Sequence, residues 1–343
     1  MKKIVIHRAG DYSQLKFETH PDLIINADSI LVEVRASGVN YADIAIRWGL
    51  YESAKKFVGW PITPGFEFAG IVKATGQNIT KFKAGDKVFG VTLFNAYASE
   101  VLVPEHQLFH LPENMSFEEA AAIPAVFMTA YHALFQNVVI RPGMIALIHS
   151  AAGGVGSSLV QLCKIAGITS IGVVGSSHKV QTLKDLGCDH IIDKSSEDLW
   201  KKVEVYAPYG VDLAFDANGL ETLQESYNHL APCGKLFAYG AHTMLPKTGG
   251  KVNWPKLIVD YLRAPRFNPI NMTSENKSIL AFNLSFLFSR KDLFNEAFTD
   301  LMKWFAEGKL RVPKVTTYAL EKVGDAHRDL ESGKTVGKLI LIP

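Results

Sequence analysis

Apolar positions change their rhythm along the chain. From residue 1 to about 120 they come in short alternating runs between glycines and prolines. Ile30-Leu31-Val32-Glu33-Val34-Arg35-Ala36, Gly70-Ile71-Val72-Lys73-Ala74 and Asp86-Lys87-Val88-Phe89-Gly90 each read as a strand beside a turn. This region is predicted to be a compact β-rich domain. From about 122 to 282 strand and helix periods alternate. Strands are expected at 145–149, 170–175, 190–193, 212–216 and 235–239, and helices at 154–166, 178–187, 196–206 and 221–230. That alternation predicts an α/β fold with a doubly wound parallel sheet, whose ligands bind at the carboxyl ends of its strands. The prolines and glycines of 243–281 predict an irregular stretch. The tail holds one amphipathic helix, about 291–307, and a closing strand, Gly337-Lys338-Leu339-Ile340-Leu341-Ile342, expected to return to the first domain.

The junction at 148–157 carries the first chemical signal. The apolar run Met144-Ile145-Ala146-Leu147-Ile148 leads into Ala151-Ala152-Gly153-Gly154-Val155-Gly156, and then into the helical stretch Ser157-Ser158-Leu159-Val160-Gln161-Leu162. Strand, glycine turn and helix in that order form a dinucleotide site. Gly153 lets the backbone approach a pyrophosphate, Gly156 lets the helix pack on the sheet, and the helix N-terminus offers N–H groups to the phosphates. An NAD site places Asp or Glu about 20 residues further on, against the ribose hydroxyls. Here Ile171-Gly172-Val173-Val174-Gly175 ends in Ser176-Ser177-His178-Lys179, without a carboxylate. Ser176 and Lys179 suit a 2′-phosphate, which points to NADPH.

Composition narrows the alternatives. A chain of 343 residues exceeds one ordinary core, so two domains are expected. A net charge of +2 gives no electrostatic footprint for nucleic acid. Cys163, Cys188 and Cys233 stand far apart, which argues against a disulfide framework or a cysteine-rich zinc site and fits a reducing cytoplasm. Met1 to Arg8 reads as a strand and not as a signal peptide. The most apolar segment, Ala120 to Phe135, is too short to span a bilayer and is predicted to be a buried helix.

Four pieces carry a resemblance that runs the length of the chain. They are Gly143 to Lys164, GMIALIHSAAGGVGSSLVQLCK; Gly38-Val39-Asn40-Tyr41-Ala42-Asp43 with Arg47-Trp48-Gly49-Leu50-Tyr51; Pro61-Ile62-Thr63-Pro64-Gly65-Phe66-Glu67-Phe68-Ala69-Gly70; and Gly337-Lys338-Leu339. The chain resembles the zinc-free medium-chain dehydrogenases/reductases of the quinone oxidoreductase (ζ-crystallin) group. Around Phe282-Asn283-Leu284-Ser285-Phe286-Leu287 it is most similar to the vesicle amine transport protein branch. The resemblance implies a GroES-like catalytic domain wrapped around a Rossmann domain, with boundaries at 1–121, 122–282 and 283–343.

It also implies site residues. The positions that hold catalytic zinc in alcohol dehydrogenases correspond to Asn40, Phe66 and Ala125, none of which supplies a thiolate or imidazole, so no metal is expected. Cofactor contacts are implied for Asn40, Thr129, Ala152, Gly153, Gly154, Val155, Gly156, Gly175, Ser176, Lys179, Lys194, Asn218, Tyr239, Gly240, Ala241, Phe282 and Leu284. Lys194 stands where the family often has tyrosine; it reads as a second cation for the phosphate or as a solvated lysine on a turn. Thr129 reads as a nicotinamide neighbour or as a hydroxyl bonded to the preceding helical turn. Tyr51 and Asn40 are the expected catalytic pair, Tyr51 being a proton donor or an aromatic wall of the pocket. Glu67 is expected to pair with Arg47 or another base, and Asp43 to order its loop.

The activity implied is hydride transfer from NADPH to a quinone, or, as an enoyl or alkenal reductase, to an α,β-unsaturated carbonyl compound. A cofactor-bound protein that binds membrane or RNA is the reading from another class. Lys247, Lys251, Lys256, Arg263 and Arg266, with Trp254, Leu257, Ile258 and Tyr261, make 244–272 a candidate for peripheral membrane contact, or a solvated insertion or oligomer contact. A homodimer is the family expectation.

Overall fold

The structure, a computed structural model, describes residues 1–244 and 254–343. Six parallel strands form the central sheet. From edge to edge they are His190–Asp193, Thr169–Val174, Ile145–Ile148, Val211–Asp216, Leu230–Ala238 and Ser278–Ala281. In chain order this is 3-2-1-4-5-6, the doubly wound arrangement whose direction reverses at the first strand. Ala146, Leu147 and Ile148 are buried on both faces, so the run is continuously apolar and not alternating. Helix Gly154–Ala166 leaves that strand and stops at Gly167, whose φ of 69° suits a left-handed C-terminal cap.

The second sheet is mixed. Val315–Ala319, Lys338–Ile342, Ser29–Val39, Glu67–Thr75, Lys87–Val91 and Leu108–His110 lie side by side, and Glu100–Pro104 also pairs with Ser29–Val39. The closing strand enters between the first and last parts of the chain, with Leu339 opposite Val39 and Ile340 opposite Gly38. Helices Pro124–Leu134 and Lys291–Ala306 lie between the two sheets. One apolar core runs through all of these, from Ala69 and Phe89 through Phe127 and Phe298 to Leu159 and Phe215.

The expectation of an irregular 243–281 is corrected. Helices Trp254–Leu262 and Pro269–Glu275 and the edge strand Ser278–Ala281 occupy its described part. Pro255 and Pro269 fall in the first turns of these helices, where a missing N–H breaks no hydrogen bond, so they start helices here instead of ending them. Lys247 and Lys251 of the proposed membrane segment lie outside the described residues.

Candidate active site

A cavity of about 1250 Å³ runs along the carboxyl ends of the parallel strands and under the second sheet. At its centre is the glycine turn. Gly153 caps the helix at φ −80°, a conformation open to any residue, and a Cβ there would meet only the Ser150 carbonyl oxygen, at 3.2 Å. The fold is therefore less demanding of glycine at 153 than at 156, while a ligand close to the backbone would add its own demand. Gly156 differs, because a Cβ there would lie 2.5 Å from the Ser150 oxygen and 2.6 Å from Ala151 Cα. Gly154 leaves room for Val126 of the neighbouring helix. The first N–H groups of helix Gly154–Ala166 have no acceptor within the helix and carry its positive dipole end.

The adenosine end of such a site is basic. Gly175, Lys179 and Lys194 line the cavity, and Lys194 lies against Gly175. Lys179 Nζ donates to the Gly333 carbonyl at 2.5 Å, and burial pulls its pKa down. Ser176 is not among the residues that line the cavity; it precedes the short helical turn Ser177–Lys179. Asp193 has its carboxylate occupied by Ser177 and Ser195. Three lysines line the cavity, Lys179, Lys194 and Lys338, and no described aspartate or glutamate does.

Asn218, Tyr239, Gly240 and Ala241 form the floor at the next two strand ends. Asp216 orders that turn by accepting the N–H groups of Asn218 and Gly219 at 2.8 and 3.0 Å. Beneath it, Ser226 Oγ donates to Asp216, so His149 Nε2 carries the proton that Ser226 Oγ accepts at 2.9 Å. Burial lowers the His149 pKa to about 4.

The other wall collects residues from across the chain: Asn40, Tyr51, Phe66, Ala125, Thr129, Phe282 and Leu284. The Tyr51 hydroxyl donates to Asn283 Oδ1 at 3.0 Å and lies 3.0 Å from Ser285 Oγ, and burial raises its pKa. The Thr129 hydroxyl donates to the Ala125 carbonyl at 2.7 Å, within its own helix. Asp43 accepts from Asn40 N–H (2.8 Å), Gly65 N–H (2.9 Å) and Tyr97 hydroxyl (2.9 Å), pinning the loop under the site. Glu67 pairs with Lys338 at 2.6 Å and not with Arg47. Arg47 is buried against Glu331 and between the rings of Tyr12 and Trp48. Leu257, Ile258 and Tyr261, named above as candidate membrane contacts, line the cavity.

Two family models match the chain. One, described as alcohol dehydrogenase GroES-like domain, covers residues 26–113; the other, zinc-binding dehydrogenase, covers 186–341. A synaptic vesicle membrane protein VAT-1 homolog from Danio rerio is 33% identical over 99% of this chain and 69% of its own length. This chain belongs to the medium-chain dehydrogenase/reductase family, in the quinone oxidoreductase group beside the VAT-1 branch. The human quinone oxidoreductase is 27% identical, over 100% of this chain and 98% of that protein. The crystal structure of Escherichia coli quinone oxidoreductase complexed with NADPH superposes with a TM-score of 0.86 at 28% identity, covering 100% of both chains.

Family membership fits the GroES-like and Rossmann-type sheets described above. Within them, Lys338, Asn283 and Ser285 are cavity residues that sequence reasoning did not single out for a role in the site. Lys338 sits in a quoted family motif, yet alternation along a strand gives only the side of the sheet and not what lies opposite. Asn283 accepts the Ser285 N–H at 2.9 Å and orders its own turn, but its contact with Tyr51 spans 232 residues, which no local signal carries.

Proposed function

We propose that this chain is an NADPH-dependent reductase that passes hydride, without zinc, to a quinone or quinone-like carbonyl acceptor. The observation that carries this reading is the charge of the cavity wall: Lys179 and Lys194 face it with no described aspartate or glutamate among its lining residues, Lys338 being paired with Glu67, beside a glycine turn that borders the cavity. The residues fit a dinucleotide with a 2′-phosphate, and the NADPH complex of the Escherichia coli relative supports the same cofactor. The N–H groups of Gly154, Val155 and Gly156 would hold the pyrophosphate, with Ala152 and Gly153 beneath it. Gly175, Lys179 and Lys194 would receive the phosphorylated ribose. Asn218, Tyr239, Gly240 and Ala241 would form the floor under the nicotinamide half, and Asn40, Thr129, Phe282 and Leu284 its surroundings. When bound, the nicotinamide supplies the hydride. Phe66, Val91 and Leu284 give the reacting end apolar walls that shed water from an acceptor. Asn40, Phe66 and Ala125 come together there and offer no zinc ligand, which favours acceptors that take hydride without a Lewis acid.

The test is NADPH oxidation with a panel of quinones, enals, enoyl thioesters and alcohols. Quinones are expected to lead. One tightly bound zinc per chain, or turnover of alcohols with NADP⁺, sinks the reading. The enoyl or alkenal reductase alternative assigns Tyr51 as proton donor. Its hydroxyl proton is directed to Asn283 and burial raises its pKa, which supports the quinone reading instead. Tyr51→Phe is expected to lower quinone turnover by less than about threefold, whereas loss of a true proton donor costs roughly 10²-fold or more. We also propose the division 1–121, 122–282 and 283–343, a cytoplasmic location, and a homodimer across the outer edge of Ser278–Ala281, which light scattering checks.

A further inference from the structure

One buried cation joins the glycine turn to the reacting wall. Lys338 is 3% exposed and opens the last strand. Gly337, just before it, bridges to Gly153 and donates its N–H to the Ala152 carbonyl at 3.3 Å. Lys338 Nζ donates to Asn40 Oδ1 at 2.5 Å and to Glu67 Oε1 at 2.6 Å. The same Glu67 oxygen accepts from Asn40 Nδ2 at 2.8 Å, and its other oxygen accepts the Ala125 N–H at 2.7 Å. Gly38 makes room for this carboxylate, because a Cβ there would fall within 2.7 Å of three Glu67 side-chain atoms.

The chemistry of these partners leaves Asn40 a single orientation. An ammonium only donates and a carboxylate only accepts, so the amide oxygen faces Lys338 and the amide nitrogen faces Glu67. One Nδ2–H is used on Glu67. The other has no partner among the described residues, and Asn40 lines the cavity. Stability alone does not explain such a pair, since well-packed apolar residues replace a buried ion pair at little cost or with a gain. We propose that Lys338 and Glu67 are positioning residues that hold Asn40 as a hydrogen-bond donor for the carbonyl oxygen of the acceptor, and that Lys338 ties this donor to the dinucleotide turn. This deepens the reading above and rests on it: the acceptor class becomes compounds that present a carbonyl oxygen to Asn40.

The test pairs Lys338→Met with Glu67→Gln, so that no unpaired charge is left buried, and sets the double variant beside Lys338→Arg. NADPH binding is titrated by fluorescence. Binding of 1,4-naphthoquinone to protein loaded with NADP⁺ is followed by tryptophan quenching. The Asn40 side-chain amide is observed by NMR after ¹⁵N-asparagine labelling. The double variant is expected to bind NADPH within about threefold of wild type, to lose about tenfold or more in naphthoquinone affinity, and to lose the wide separation of the two Asn40 amide protons. Lys338→Arg is expected to keep naphthoquinone binding within about threefold, since it retains a buried donor. Undiminished naphthoquinone binding by the folded double variant overturns the proposal. Equal losses for NADPH and naphthoquinone also overturn it, by making Lys338 a ligand of the dinucleotide. Wild-type protein that binds NADPH and no carbonyl acceptor defeats the acceptor reading separately, and the amide signal then decides whether Lys338 still fixes Asn40.

Discussion

Two glycines three positions apart in one turn do opposite jobs. Gly153 lines the cavity and a Cβ there would meet only the Ser150 oxygen, at 3.2 Å, whereas Gly156 is pressed against the backbone of Ser150 and Ala151, at 2.5 and 2.6 Å. Gly153→Val is therefore expected to abolish NADPH binding, measured by fluorescence, while the protein stays folded by circular dichroism. Gly156→Val is expected to lose the fold itself, because backbone cannot yield as a side chain can. In the proposed reading Lys179 separates the two nicotinamide cofactors. Lys179→Ala is expected to weaken NADPH binding by about tenfold or more and to leave NADH nearly unchanged, one charge-assisted contact being worth about 1.5–3 kcal/mol. The wild-type preference for NADPH should shrink as salt rises, since a partly exposed phosphate contact is screened. Equal losses for both cofactors would place Lys179 on the pyrophosphate or in the fold. The sequence singled out Lys179 and Lys194, both of which line the cavity, since a strand end without a carboxylate is a local signal. It could not show which of these residues line the cavity, because that depends on elements far away in the chain.

At the scale of elements, the loop and helix that carry Asn40 are held by Asp43. Its two oxygens accept three donors, Asn40 N–H, Gly65 N–H and the Tyr97 hydroxyl, and burial raises its pKa to about 6. Asp43→Asn replaces one acceptor by an amide that faces donors. The expected loss is about 2–3 kcal/mol, read as a lower urea midpoint at unchanged slope. Helices Trp254–Leu262 and Pro269–Glu275 were missed for a local reason, their prolines, and Gly154–Ala166 was legible for a local reason, its glycine cap. Proline breaks a helix only where an N–H is needed, so its meaning depends on register.

At the scale of the whole molecule, buried titratable groups set the response to pH. His149 has a folded pKa of about 4, below its unfolded value of 6.5, so the unfolded chain binds the proton that the folded chain refuses. Stability from this group is full above the unfolded value and is lost as pH falls below it, by roughly 2 kcal/mol between pH 7 and pH 5. His327, lowered by burial and then by Arg47, acts in the same direction. Asp43 acts against them, because a raised carboxylate pKa favours the fold as pH falls through about 6. Urea midpoints of wild type and His149→Gln at pH 7 and pH 5 isolate the His149 share, and the fall between the two pH values is expected to be smaller in the variant by roughly 2 kcal/mol. By itself the sequence determined the alternation of strands and helices from about 145 to 239, the strand, glycine turn and helix at 145–166 and the lack of a carboxylate at the end of the second strand, because each is written in neighbouring residues through hydrophobic period, missing side chains and local charge. Tertiary structure alone decided the partners of Glu67, Arg47 and Tyr51. The contact of Lys338 with Asn40 spans 298 residues, and it exists only because the last strand enters the sheet beside Ser29–Val39. Pairings of that kind are set by sheet register and packing, which no window along the chain contains.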